Sequence, residues 1–304
     1  MRYPLLIGLL FLSTWLVAQQ TAKELVTSGI TKAKLGDYQA ALKDFDKAIQ
    51  MDSTEGEPFY NRGIVKSELH DYQGAIDDFT RVVTLSPSYP EPWYNRGLAK
   101  DYMEDHGGAI SDYTKAISLK AEYPEAYLNR GLALFDLGRY DEAISDFTRA
   151  LAYSPGFAEA YYNRGLARFS NGEFTEAISD FTEAIALDVS PAEYFASRGA
   201  AKASLGAYQD AIIDFNEAIY KRPGDLTPRL NKALAFLYLK QYRDAELAYS
   251  EILEIDPANM EALTKRGVAR QKQEDLAGAC DDWEAAQELG SAKAEEYLEK
   301  FCTH

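Results

Sequence analysis

Apolar residues along this chain recur at helical rather than alternating spacing. Between residues 140 and 153 the apolar positions are Ala143, Ile144, Phe147, Ala150 and Leu151, at offsets of 1, 4, 7 and 8. Those offsets place the side chains on one stripe of an α-helix. Just upstream, Tyr127, Gly131 and Leu134 form a second helical set. Gly138 lies between the two, where a helix closes in a left-handed cap. The unit so predicted is a pair of short helices joined by a tight turn.

The same unit recurs without insertion. Every thirty-fourth residue from Ala41 is alanine: Ala41, Ala75, Ala109, Ala143, Ala177, Ala211, Ala245 and Ala279. Four residues later stands an aromatic column of Phe45, Phe79, Tyr113, Phe147, Phe181, Phe215, Tyr249 and Trp283. Twelve residues before each alanine runs Gly29, Gly63, Gly97, Gly131, Gly165, Gly199, Ala233 and Gly267. Eight windows therefore tile residues 22–293: 22–55, 56–89, 90–123, 124–157, 158–191, 192–225, 226–259 and 260–293. The small columns let the two helices of a hairpin approach, and the aromatic column fills the space between hairpins. No hairpin buries its stripe alone, so the windows are expected to stack. Residues 291–302 carry Ala294, Tyr297, Leu298 and Phe301 and are predicted to form a helix that caps the last window.

This pattern resembles the tetratricopeptide-repeat family. The third window shows it in Trp93, Gly97, Ala109, Tyr113 and Ala116, and the fourth adds Pro155. The resemblance implies an all-α fold, a right-handed superhelical solenoid of antiparallel helix hairpins. It also implies a concave groove, lined by the first helix of each hairpin, that binds proteins or peptides. The seventh window departs from the pattern with Ala233 and Arg229, and the first has Ser53 for the terminal proline. Weaker packing is expected there.

Repetition turns single polar residues into ladders. Asn61, Asn95, Asn129, Asn163 and Asn231, with Ser197 between the last two, stand two residues before the glycine column. The resemblance puts them on the groove, where an amide row can pair with a peptide backbone. The competing role is capping or bridging neighbouring helices. Tyr60, Tyr94 and Tyr162 precede them by one residue, with Leu128 in the same column. These rings suit either ligand contact or packing between hairpins. Glu57, Glu91, Glu125, Glu159, Glu193 and Glu261 open the first helices. The helix dipole favours them there, and they also give the groove an acidic edge. Few basic residues fall on that face, so a clamp for acidic C-termini is not expected. A fourth ladder is paired. Arg62, Arg96, Arg130, Arg164, Arg198 and Arg266 accompany Asp78, Asp112, Asp146, Asp180, Asp214 and Asp282, and the seventh window loses both partners to Lys232 and Ala248. Presence and loss together predict Arg–Asp ion pairs.

Composition narrows the function. The formal net charge is −16, from 48 acids and 32 bases. Such a chain repels nucleic-acid phosphates and anionic lipid, so the expected partner is a neutral or basic protein segment. A glycan held by the same Tyr and Asn side chains stays open. Arg2, the apolar run Leu5 to Val17 and small Ala18 read as a secretory signal over 1–18. The run is shorter than the roughly 20 apolar residues of a membrane anchor. Export to a periplasm or the exterior is therefore expected, with no membrane span after cleavage. Cys280 and Cys302 are the only cysteines and lie equidistant from residue 291. A disulfide stapling the cap is expected in an oxidising compartment; two buried thiols are the alternative. His70, His106 and His304 share no helical face, so neither a metal nor another cofactor is expected. No phosphate loop or nucleophile motif occurs. The leading expectation is a non-catalytic binding module. The alternative is a scaffold that assembles envelope or secreted complexes through its outer surface.

Overall fold

The computed structural model describes residues 20–302, so the expected signal at 1–18 lies outside it. Among the described residues every regular element is a helix. The chain divides after Pro155 into two compact units. The first holds α1 (20–34), α2 (Tyr38–Met51), α3 (Glu57–Glu68), α4 (Tyr72–Leu85), α5 (Pro90–Asp101), α6 (His106–Leu119), α7 (Pro124–Asp136) and α8 (Tyr140–Tyr153). The second holds α9 (Ala158–Ser170), α10 (Phe174–Leu187), α11 (Ala192–Ser204), α12 (Tyr208–Lys221), α13 (Leu226–Tyr238), α14 (Tyr242–Ile255), α15 (Met260–Lys272), α16 (Leu276–Glu288) and α17 (Ala292–Phe301). Within each unit consecutive helices pair as hairpins, and each hairpin packs on the next.

The columns explain the hairpin. All eight alanines are 0% exposed, and no member of the aromatic column exceeds 1%. In the seven windows with a glycine in this column, the ring edge lies directly against the glycine of its own hairpin. A Cβ on Gly63 would come within 2.8 Å of Phe79 Cε1, and one on Gly131 within 2.7 Å of Phe147 Cε1. Glycine thus pays a helix-propensity cost of roughly 1 kcal/mol to admit an aromatic ring. In the seventh window Ala233 and Tyr249 stay buried, but α13 and α14 pack on each other less extensively than the helix pairs from α3–α4 to α11–α12 and α15–α16, the weaker packing expected there.

The turn is equally regular. Gly36, Gly138, Gly172 and Gly206 have positive φ, as expected. So do His70, Glu104, Lys240 and Glu274, with φ of 62°, 62°, 59° and 68°, in the same column. A non-glycine residue costs roughly 1–2 kcal/mol there. The fold holds the turn in all eight windows regardless, because the paired helices on either side determine it.

The Arg–Asp ladder is present as six bidentate pairs. In each, Nε and Nη2 donate to the two carboxylate oxygens at 2.6–3.0 Å. The aspartates are buried, at 2–5% exposure. A second cation, four residues after the arginine, meets the same carboxylate in most windows: Lys66, Lys100, Arg168, Lys202 and Arg270. The third guanidinium nitrogen of Arg62, Arg96, Arg130, Arg198 and Arg266 reaches back to the preceding hairpin, at Asp46, Thr80, Thr114, Thr182 and Ser250. One arginine therefore closes its own hairpin and ties it to its neighbour.

The third window adds a titratable variant. His106 replaces the tyrosine of the Tyr38, Tyr72 and Tyr140 column. Its Nδ1 lies 2.8 Å from Asp101 Oδ1, and Tyr113 Oη donates to Asp101 Oδ2 at 3.2 Å. The hydrogen bond to Asp101 raises the His106 pKa above its usual 6.5, with Asp136 and Glu104 adding to the effect. Burial in turn raises that of Asp101. A raised histidine value means the protonated ring stabilises the fold. That contribution is complete below about pH 6.5 and is lost as pH rises through the higher folded-state value. Thermal melts across this range are expected to show stability falling with pH, and the His106→Tyr variant to lose that component.

The C-terminal helix covers the last hairpin. Trp283 packs on Tyr297 and Phe301 with ring centroids 5.0 and 5.8 Å away, and its Nε1 donates to the Thr264 carbonyl. Cys280 on α16 and Cys302 after α17 are disulfide-bonded, with Cα atoms 6.0 Å apart. Closing a loop of this length contributes about 3 kcal/mol, which holds a helix of only ten residues on the apolar end of the second unit.

Candidate functional site

The Asn and Tyr ladders converge on the first helices of the hairpins. Sequence spacing treats them as separate columns, and the structure links them. Asn95 Nδ2 donates to Tyr60 Oη at 2.9 Å, and Asn129 Nδ2 to Tyr94 Oη at 2.8 Å. Ser197 meets Tyr162 Oη at 3.4 Å in the same way. The offset is 35 residues, one window plus one, and that spacing could have revealed the bond. Asn61 and Asn163 donate instead to the carbonyls of Glu57 and Glu159, one turn earlier. Asn231 lines a cleft with Tyr208, Leu234 and Tyr238. Bridging of neighbouring hairpins thus holds for two of the five asparagines. The other three amides make no bond to a tyrosine.

The tyrosines are half-buried and tilted against neighbouring rings. Tyr60 stands 5.7 Å from Tyr89, Tyr94 5.0 Å from Tyr123, and Tyr162 4.6 Å from Tyr194. Burial, with Tyr89 and Glu91 adding to it, pushes Tyr60 up to about 12. Burial also raises Tyr162. These phenols remain neutral at physiological pH and keep their O–H as a donor.

Charge on the first helices of both units is one-sided. The first turns of α3, α5, α7, α9 and α11 carry Glu57, Glu91, Glu125, Glu159 and Glu193. Every basic residue of the same five helices is turned onto a buried aspartate. Arg62 and Lys66 hold Asp78, Arg96 and Lys100 hold Asp112, Arg130 holds Asp146, Arg164 and Arg168 hold Asp180, and Arg198 and Lys202 hold Asp214. What these helices offer a ligand is therefore amide, phenol and carboxylate. Among the described residues no three His, Cys, Asp or Glu side chains converge to hold a metal ion. No described helix is long and apolar enough to cross a membrane.

Comparison with known proteins bears on the fold. A tetratricopeptide-repeat family model matches residues 94–150, 128–191, 162–225 and 230–294, and a second matches 25–55, together well over half of the chain. No curated protein matches by sequence. Among solved structures, that of MamA is 27% identical with a TM-score of 0.54, the alignment covering 58% of this chain and 96% of that one. YrrB, described as a TPR protein with an unusual peptide-binding site, is 20% identical at TM-score 0.56, with 62% and 97% covered. The C-terminal part of a TPR repeat-containing protein from Cytophaga hutchinsonii is 19% identical at TM-score 0.66, with 78% and 98% covered. The windows, the buried columns and these matches agree, and the chain belongs to the tetratricopeptide-repeat family.

Proposed function

We propose that this protein is a non-catalytic module that binds an extended neutral or basic protein segment along its first-helix face, in an exported compartment. The observation that carries this reading is the charge arrangement of α3, α5, α7, α9 and α11. All their basic residues are consumed by buried aspartates, while Glu, Tyr and Asn remain at the surface or half-buried. A face of that composition disfavours an acidic tail and suits a backbone-pairing ligand with neutral or positive side chains. The peptide-binding site attributed to YrrB lends precedent on the same fold. Export rests on the 1–18 segment, and the disulfide of the cap is in keeping with an oxidising compartment.

A second reading has one observation behind it. Ile213 on α12 and Leu247 on α14 share a column that elsewhere holds Lys43, Asp77, Ser111, Ser145, Ser179 and Asp281. They are 64% and 57% exposed. Two adjacent apolar side chains on second helices would suit a scaffold that docks through its outer surface.

The readings separate by substitution. Replacing Asn61, Asn163 and Asn231 by alanine leaves the Asn–Tyr bridges intact. Recovery of partners from the exported fraction is expected to fall about tenfold or more, at ~1 kcal/mol per amide, with the circular dichroism unchanged. If recovery instead survives that change and fails in an Ile213→Ser/Leu247→Ser variant, the outer-surface scaffold is correct.

A further inference from the structure

We propose that the first unit contains a subsite for a single basic side chain, lysine or arginine, of the bound segment. The proposal rests on the first-helix face being the binding face, and it names which ligand group is read there and where. The site is a cleft of about 450 Å³ at the start of α3, bordered by Glu55, Glu57, Tyr60, Asn61, Ser86 and Tyr89.

Three features give it cation chemistry. Tyr60 and Tyr89 stand at 51° to one another, with centroids 5.7 Å apart, and so offer two ring surfaces. Ring faces attract an ammonium or guanidinium group. Glu55 and Glu57 form no ion pair among the described residues, and Glu57 stands on the first turn of α3. Lys23 borders the same two carboxylates from a smaller adjoining cavity and pairs with neither. Outside the cleft lining, Glu91 Oε2 is buried with no hydrogen-bond partner, and its charge is felt at the Tyr89 and Tyr60 phenols. Two carboxylates on the cleft, with Asp52 beside Lys23 in the adjoining cavity, outweigh the one lysine and leave the cleft negative. Asn61 donates to the Glu57 carbonyl, which leaves its Oδ1 available to an incoming N–H.

The next window shows the occupied form of the same arrangement. Tyr123 is the counterpart of Tyr89, and Lys120 that of Ser86, each one window on. Lys120 Nζ lies over the Tyr123 ring, 4.3 Å from its centroid. The chain thus supplies its own cation to the tyrosine of the third window. In the second window it places a small serine instead and leaves the ring facing an open cleft. A ligand side chain that takes the place of the Lys120 ammonium meets the ring and, in addition, Glu55 and Glu57.

The test uses the full chain and the pentapeptide acetyl-Ala-Ala-Lys-Ala-Ala-amide, followed by amide chemical shifts. Saturable shifts are expected at residues 55–61 and 86–89. The arginine peptide is expected to behave alike, and the norleucine peptide to bind about tenfold more weakly for want of charge. Glu57→Gln is expected to weaken the lysine peptide several-fold. Ser86→Lys, which copies the next window and fills the cleft from within, is expected to abolish binding there while melting as the parent does. Equal binding of the norleucine peptide, or undiminished binding to the Ser86→Lys variant, would overturn the subsite. So would the absence of saturable shifts at these residues. In those cases the face-binding reading still stands if a natural partner crosslinks to the first helices, and it falls separately if the partner crosslinks elsewhere.

Discussion

Replacing Phe79 with alanine is expected to destabilise the first unit by about 3–5 kcal/mol. The ring is 1% exposed and lies between helices. It packs with Ala75, Ala99, Ile64 and Tyr72, and Tyr60 is tilted against it at 5.9 Å. Truncation leaves a cavity whose opposite wall is the bare backbone of Gly63, which cannot move in to fill it. The glycine also makes the cause testable. A Cβ on Gly63 meets Phe79 Cε1 at 2.8 Å, so Gly63→Leu alone forces the ring aside at a cost of about 1–3 kcal/mol. Combined with Phe79→Ala, the same leucine grows into the vacated space. The double variant is expected to be more stable than the sum of the singles by at least about 1 kcal/mol. Additive losses in urea titrations would show that the two columns are not one packing unit. Because hairpins couple to their neighbours, hydrogen exchange is expected to rise first in α3 to α6.

Asp180→Ala is the second large effect. Asp180 is 2% exposed and accepts from Arg164 and from Arg168 Nη1. Removing it strands two partly buried guanidinium groups. Loss of one partner from a buried ion pair costs 3–5 kcal/mol; both arginines retain some solvent access, so about 3 kcal/mol is expected. The pairing itself need not be strongly stabilising, and the seventh window shows the alternative. There the three positions read Lys232, Phe236 and Ala248, with Ala248 buried and Phe236 packed against the core. Importing that set as Arg164→Lys, Arg168→Phe and Asp180→Ala is expected to recover most of the loss. Chemical denaturation of the two variants decides it. If the triple variant is no better than Asp180→Ala, the ion cluster contributes through more than the avoidance of stranded charge.

The parts of the fold most legible in the sequence were those that recur. Hairpins and buried columns follow from residues such as Ala143 and Phe147, whose columns recur in all eight windows, and the ion pairs from Arg130 and Asp146, which recur together in six; the cap helix follows from the single apolar set Ala294, Tyr297, Leu298 and Phe301. Features that vary between windows were less legible. The left-handed turn at Glu104 and Lys240 escapes a reading keyed to glycine, because tertiary pairing rather than local preference holds it. Lys66, Lys100 and Arg168 carry no signal of their own in the sequence, and only their shared distance of twelve residues to Asp78, Asp112 and Asp180 marks them as ion partners. The Asn–Tyr bridges cross from one window to the next, so a search within windows misses them. The division after Pro155 has no counterpart in the register, which runs through it without a break. The binding residues are the least legible of all. Asn95 and Asn129 serve packing, and the same residue type at Asn61, Asn163 and Asn231 is proposed to serve a ligand.

Site-specific photocrosslinking in the living source cell tests the binding face most directly. A benzoylphenylalanine is placed singly at Glu68 or Tyr102 at the ends of α3 and α5, and in parallel at Asp77, Lys115, Ile213 or Leu247 on exposed positions of second helices. The expected result is a partner adduct from Glu68 and Tyr102, lost on alanine substitution of Asn61, Asn163 and Asn231, with none from the second-helix positions. Adducts confined to Asp77, Lys115, Ile213 or Leu247 would contradict the first-helix face as the place where this protein binds.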